Sequence, residues 1–171
     1  FLYFFKFLIH KVNKNNINFL EDYPAGRLFF GDESSKWLIG VKTPLDSITK
    51  SSLYPQAQEA IQDLSPWQAV AKLLNWVQTG FQYACDDDVW GHDRVFFPSE
   101  TLFYPNSDCE DKAILFSILV REVLNLDVLL LYFENPEHLL TAVHIPVEEN
   151  PGEYVMYNDK RYMVCDPTLK N

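Results

Sequence analysis

The feature that most constrains the fold of this chain is the apolar segment from Ala113 to Leu126. Its apolar residues fall at the spacing of an α-helix, at Ile114, Leu115, Ile118, Leu119 and Val123. So few of its positions are polar that such a helix must be covered on most sides. A chain of 171 residues is long enough to supply that cover within one globular domain. We therefore predict a buried central helix.

Two further helices are predicted before the central one, at residues 55–64 and 66–79. Ser65 is a favourable N-cap, Pro66 suits the first helical position, and Gly80 suits the end of the second helix. The buried face of this second helix is predicted from the spacing of Trp67, Val70, Leu73, Leu74 and Val77.

Strands are predicted after the central helix. Residues 127–132 are rich in leucine, 138–147 alternate in polarity, and 154–157 and 161–165 flank a hairpin turn at Asn158-Asp159-Lys160. Because helices come first and strands follow, the predicted class is α+β, with the central helix packed on an antiparallel sheet.

The N-terminal part is predicted to be a separate segment, residues 1–50, of a longer protein, and residues 51–171 to be a core truncated at its C-terminus. Residues 1–20 are predicted to form an amphipathic helix. The apolar run at the very start is too short for a membrane span, which needs roughly 20 residues.

Two short strands are predicted next, at Leu28–Phe30 and Trp37–Val41, after a turn at Pro24 and Gly26. The stretch 81–105 mixes aromatic residues, acids and prolines, and we expect it to be a long but ordered loop region.

The charge of −10 argues against nucleic acid as a partner, because no stripe of lysine or arginine is present to contact phosphates. The acidic run Asp86-Asp87-Asp88 is interpreted as solvated loop surface. A cation site there is the alternative, but adjacent acids do not reproduce the alternation of ligands in a calcium loop.

Three cysteines cannot form a closed set of disulfides, and they lack the Cys-x-x-Cys spacing of a zinc site. The sequence therefore implies no metal and no cofactor. Cys165 is interpreted as a strand residue, and Cys85 is assigned no role.

Cys109 stands out because Ser107-x-x-Glu110 matches a capping box. With Ser107 as the N-cap, Cys109 lies in the first turn of the central helix. The partial positive charge there stabilises a thiolate, and the unpaired N–H groups can stabilise an oxyanion. The alternative is that Cys109 is a small buried residue at a helix start.

A cysteine nucleophile needs a base and a group that orients the base. His138 and Asp166 follow on predicted strands, which can return to the start of the central helix. His144 is a competing base, but it lies about 20 Å from His138 along a strand at roughly 3.3 Å per residue. Only one of the two can reach Cys109, and we favour His138.

These residues lie in motifs that resemble those of the bacterial transglutaminase-like superfamily, within the papain-type thiol enzymes. The resemblance covers about residues 55–168, and any one motif alone would be a weak signal. The matching stretches are the cysteine motif Asp108–Ser117, the histidine motif His138–Val143, the aspartate motif Tyr162–Thr168, and the upstream stretches Leu74–Phe81 and Phe96–Leu102.

The resemblance implies a papain-like, transglutaminase-like fold and a Cys109, His138 and Asp166 triad. Cys109 would attack an amide or ester carbonyl, His138 would carry its proton, and Asp166 would orient the imidazole. The acyl-enzyme would pass to water, as in a cysteine protease, or to an amine, as in crosslinking. Many members of the family carry an aromatic residue where this chain has Leu140.

Tyr83, Trp90 and Tyr104 are candidates for binding a protein or peptide substrate, although aromatic packing under a long loop explains them equally well. The competing function is a catalytically silent module that binds peptides or envelope proteins. The compartment stays open between the bacterial cell envelope and the cytoplasm, and the sequence does not specify the oligomeric state.

Overall fold

The structure is a computed structural model that describes residues 10–21, 34–146 and 152–168. Its helices are α1 (Lys14–Glu21), α2 (Ser34–Lys42), α3 (Ser47–Ile61), α4 (Pro66–Gly80), α5 (Asp86–Val89), α6 (Pro98–Thr101) and α7 (Cys109–Val123). Its strands are β1 (Gln82–Tyr83), β2 (Asn106–Ser107), β3 (Val128–Glu134), β4 (Glu137–Val143), β5 (Tyr154–Tyr157) and β6 (Lys160–Cys165). The predicted α+β class is confirmed.

Helix α4 confirms the predicted signals at both of its ends. The Ser65 side chain accepts a hydrogen bond from the backbone N–H of Gln68, and the Gln68 side chain accepts one in return from the N–H of Ser65. Pro66 occupies the first turn, and the helix ends at Gly80. Helix α3 begins earlier than predicted because Asp46 caps it through the N–H groups of Ile48 and Thr49.

The strand predicted at Trp37–Val41 is wrong, because these residues belong to helix α2. Trp37 and Val41, four residues apart, lie on one helical face and pack against α7. Gly40 lets the two helices approach closely, since a Cβ atom there would lie 2.8 Å from Cδ1 of Ile114. A short apolar run carries too little periodicity to separate a strand from a helix. Of the first 20 residues, the described helical part is α1.

The strand predicted at Leu28–Phe30 and the turn at Pro24 and Gly26 lie outside the described residues. The division at residue 50 stays a prediction. Within the described part, α2 from the first segment packs directly on α7 from the second.

Helix α7 is the centre of the molecule, as the apolar segment predicts. Every residue from Asp111 to Val120 is buried. Helices α2, α3, α4 and α6 pack against it, as do strands β3 and β4 of the sheet. Because α7 is covered on all these sides, its N-terminal residue is fixed relative to both layers.

The main sheet is antiparallel, with strand order β3-β4-β6-β5. Strand β4 is therefore internal, with β3 on one side and β6 on the other. The predicted hairpin between β5 and β6 is confirmed, and its turn residues Asn158 and Asp159 have φ values of 47° and 60°. Such left-handed pairs favour the tight turn that matches strand twist.

The aromatic stretch 81–105 is ordered, as predicted. Strands β1 and β2 pair in parallel across it, with Tyr83 opposite Ser107, and Phe96 is almost fully buried. Among the described residues, no helix is both long and apolar enough to cross a membrane.

Candidate active site

Cys109 is the first residue of α7, but Asp108 rather than the predicted Ser107 is the N-cap. The Asp108 side chain accepts from the N–H of Asp111 at 3.4 Å, and the Asp111 carboxylate accepts from the N–H of Asp108 at 3.3 Å. Ser107 is held in the extended conformation by strand β2. The cap is therefore shifted by one residue, and Cys109 still begins the helix.

Asp111 ties the loop before α7 to the start of the helix. Its side chain is fully buried, and Oδ1 accepts a 2.7 Å hydrogen bond from the backbone N–H of Phe96. Burial, followed by the charge of Asp108, raises the pKa of Asp111 well above its usual range. Asp111 therefore links the loop to the start of α7 beside Cys109.

The Cys109 thiol is half-buried and has two described partners. It donates to Oε2 of Glu110 at 3.0 Å, and the backbone N–H of Leu139 hydrogen-bonds its sulfur. Burial, then the charge and hydrogen bond of Glu110, raise the pKa of Cys109, and the Leu139 N–H opposes that rise. The lowered pKa expected from the helix start is therefore not found, because the balance of these effects favours the protonated thiol.

His138 and Asp166 are brought together by the register of β4 and β6. Thr141 pairs with Cys165, so His138 and Asp166 lie on the same face as diagonal neighbours just beyond the paired residues. Nε2 of His138 lies 2.8 Å from Oδ2 of Asp166. The other carboxylate oxygen accepts from the hydroxyl of Thr168 at 2.6 Å and from its backbone N–H at 2.8 Å.

The environment of Asp166 favours its charged form. Burial opposes ionisation, yet the hydrogen bonds from Thr168 and His138 outweigh it and hold the pKa of Asp166 below its usual value. An ionised Asp166 can fix the orientation of the His138 ring and stabilise its protonated form.

Two buried polar residues that the sequence analysis missed support this arrangement from behind. Gln78 on α4 donates from Nε2 to the backbone carbonyl of Asp166 at 2.8 Å. Lys112 on α7 donates to the carbonyl of Phe81 at 2.8 Å, just beyond the end of α4. The available signal was a polar residue at a position where the helical spacing calls for an apolar one.

Cys109 and His138 line the same cleft, which has a volume of about 350 Å³. Most of the remaining described lining is acidic or aromatic. It includes Asp86, Asp87, Asp93, Asp108, Glu110 and Glu137, the aromatic residues Trp37 and Tyr132, and the residues Lys36, Cys85, Val95 and Leu139.

The three aromatic residues predicted to bind substrate have different surroundings in the structure. Trp90 and Tyr104 pack edge to face at 5.1 Å between centroids, and Arg94 lies over the Trp90 ring at 4.5 Å. They are not among the described cleft residues. Tyr83 is half-exposed and close enough to Cys85 and Cys109 for both to raise its pKa, after burial as the largest cause. Of the three, Tyr83 alone is placed near the sulfur.

The remaining sequence candidates lie apart from the nucleophile or have other partners. His144 donates from Nδ1 to the backbone carbonyl of Arg161 at 2.9 Å and packs against Tyr162. Cys165 is buried in the core, whereas Cys85, to which no role was assigned, lines the cleft.

The acids at 86–88 lie in the short helix α5, and they are not in the group of possible metal ligands found among the described residues. Asp86 is buried and accepts at 2.5 Å from the N–H of Arg94, which makes it a loop-bridging residue. Within the described ranges, the close group of possible metal ligands is Asp108, Cys109 and Glu110, whose ligand atoms lie within 4.8 Å of one another. A cation held there would occupy the sulfur of Cys109 and block it.

No protein-family model matches this chain, and no curated protein matches its sequence. The fold is similar to the crystal structure of a candidate cysteine protease from Cytophaga hutchinsonii, with a TM-score of 0.50 and 17% sequence identity. The match covers 87% of this chain, which spans 46% of the length of that protein. The chain therefore has an α+β, papain-like fold in which α7 packs on an antiparallel sheet.

Proposed function

We propose that this chain is a thiol-dependent acyl-transfer enzyme, a cysteine peptidase or transglutaminase-like protein that acts on amide bonds of proteins or peptides. The observation that carries the proposal is the 2.8 Å hydrogen bond between His138 and Asp166 in the cleft that also contains Cys109. A nucleophile, a base and a group that orients the base are the minimum for this chemistry.

In the proposed reaction, His138 acts as a general base because the resting Cys109 keeps its proton. Nε2 is engaged by Asp166, which leaves Nδ1 to accept the proton from the sulfur. The sulfur forms a bond to the carbonyl carbon, and the partial positive charge at the start of α7 stabilises the resulting oxyanion.

The intermediate then breaks its C–N bond, and the leaving amine takes the proton from His138. Water or a second amine attacks the thioester and gives its proton to His138, the C–S bond breaks, and His138 returns the proton to the sulfur of Cys109. Water gives hydrolysis and an amine gives transfer, so the two outcomes share all of the residues named here.

The test is the rate at which iodoacetamide alkylates Cys109 at pH 7, followed by mass spectrometry of the Cys109 peptide. We expect His138→Ala to slow alkylation at least about tenfold, because general-base assistance is typically worth 10²–10⁴. His144→Ala is the matched control, since it removes an imidazole that does not line the cleft. Equal rates in His138→Ala and the unchanged chain would exclude an assembled triad.

A catalytically silent peptide-binding module is the second candidate, and the raised pKa of Cys109 favours it. In that case, alkylation would not depend on His138 at any pH. Peptides would still protect Cys109 from alkylation, because the sulfur lines the cleft.

A further inference from the structure

The Cys109 thiol is engaged by a carboxylate in this structure. Its proton points to Oε2 of Glu110 at 3.0 Å, and the neighbouring charge opposes loss of that proton. A thiol that donates to Glu110 cannot at the same moment donate to His138. Productive chemistry therefore requires that Glu110 move away or find another partner.

The described cleft offers Glu110 little cationic compensation. The residues that line it include six carboxylates, whereas Lys36 is the single lysine or arginine among the described lining residues. The Lys36 ammonium lies 2.6 Å from Oδ2 of Asp93. The described lining thus contains more acidic than basic side chains beside Cys109.

Burial makes the ionised forms of these carboxyl groups less stable. Burial, followed by the charges of Glu110 and Asp86, raises the pKa of Asp108 to about 8. Burial also raises the pKa of Asp86 to about 6, and Glu110 adds to this rise. Carboxylates in this state would be relieved by a positive charge that enters the cleft.

One wall of the cleft is suited to an organic cation with an aliphatic stem. Tyr132 presents a partly exposed ring there, and it packs on the buried Trp37 with ring centroids 4.8 Å apart. Aromatic rings attract ammonium and guanidinium groups and also cover methylene groups. A small metal ion would make no use of this wall.

We propose that the cleft recognises a lysine or arginine side chain of a peptide substrate, and that Glu110 is the specificity-determining residue that receives it. The ion pair takes Glu110 away from the Cys109 thiol and leaves the thiol free to transfer its proton to His138. This inference rests on the proposed function, because the released sulfur acts through the triad.

The first test uses peptidyl acyloxymethyl ketones that differ in one residue, lysine or norleucine, next to the electrophile. We expect the lysine probe to label Cys109 at least about tenfold faster, a ratio that a single favourable charge contact can supply. Glu110→Gln should bring this ratio close to one. Glu59→Gln, which removes an exposed carboxylate on α3 outside the cleft lining, should leave it unchanged.

The second test does not depend on catalysis. Cationic, neutral and anionic methanethiosulfonates are compared at Cys109, with each rate divided by that for free cysteine, in a Cys85→Ser background because Cys85 lines the same cleft. The cationic reagent should be favoured at low ionic strength, and the preference should fall in Glu110→Gln and in high salt.

The outcomes separate this inference from the proposed function. Labelling that depends on His138 but is equal for lysine and norleucine overturns the cation site and leaves the enzyme intact. A preference that survives Glu110→Gln overturns the role of Glu110. Loss of His138 dependence, with the reagent charge preference retained, supports the cation site and overturns the proposed enzyme.

Discussion

Replacing Asp108 with asparagine should make the protein more stable at alkaline pH. Asparagine caps a helix as well as aspartate does, so Asp108→Asn keeps the start of α7 and removes only the charge. At pH 5, little more than one unit above the pKa of an ordinary aspartate, the advantage of Asp108→Asn should still be small, because only the unfolded chain has lost the Asp108 proton. The difference between the two proteins should grow as the pH rises toward 9.

The predicted pH dependence of stability follows from the number of protons that the folded and unfolded chains bind. The pKa of Asp108 is about 8 in the folded chain against 3.8 for an ordinary aspartate. Between these values the unfolded chain binds fewer protons than the folded chain, so the free energy of unfolding falls as the pH rises. The loss of unfolding free energy begins near the pKa of Asp108 in the unfolded chain and is complete once the pH has passed its pKa in the folded chain.

The size of the expected stabilisation follows from the same shift in the pKa of Asp108. One pKa unit corresponds to about 1.4 kcal/mol, so a shift of about four units sets an upper limit of about 5–6 kcal/mol. Glu110 and Asp86 share this repulsion, and either can relax when Asp108 ionises. We therefore expect Asp108→Asn to gain about 2 kcal/mol over the unchanged chain at pH 9.

The assay is urea unfolding at pH 5, 7 and 9, followed by tryptophan fluorescence, for which buried Trp76 is a reporter. Subtracting the two free energies at each pH removes the titrations that both proteins share. A difference that is constant with pH, or a substitution that destabilises at pH 9, would refute the account of buried repulsion beside the nucleophile.

Two other substitutions test the packing around the site. Gln78→Leu should slow alkylation of Cys109 and alter its pH profile, because it removes the donor that holds the backbone of Asp166; an unchanged profile would mean that the donor is dispensable. Gly40→Ala should be more favourable by about 1 kcal/mol when Ile114→Val is also present, since the added methyl group meets the Ile114 side chain; thermal unfolding of the four proteins in this cycle would show additive effects if the contact were unimportant.

Much of the fold was predictable because the local signals and the global packing agree. Helix α4 has its cap, its proline and its glycine in the expected places, and the apolar run of α7 is covered as its composition requires. The hairpin at Asn158 and Asp159 follows from residues that tolerate a left-handed backbone.

Two local predictions were wrong because contacts with distant parts of the chain determine the structure there. Residues 37–41 read as a strand because a short apolar run has no clear period, and packing on α7 makes them helical. Ser107 was predicted to be the N-cap of α7. Pairing of β2 with β1 holds Ser107 in an extended conformation, so Asp108 is the N-cap instead.

The charge state of Cys109 was not predictable from its helix position alone. The helix start favours a thiolate, but burial and the adjacent carboxylate of Glu110 act in the opposite direction and raise the pKa of Cys109. His138 and Asp166 could be named in advance, whereas the partners of Gln78 and Lys112 could not, because they lie far away in the chain and the polar residues themselves were the only local signal.

The pairing of β4 with β6 makes the site an all-or-none property of the chain. A shift of this pairing by one residue would turn the side chain of Asp166 to the opposite face from that of His138. No intermediate register exists, so a register error separates these two side chains completely. In a population where some molecules mispair these strands, fewer molecules should contain the His138–Asp166 contact, and the contact should be unchanged in the rest.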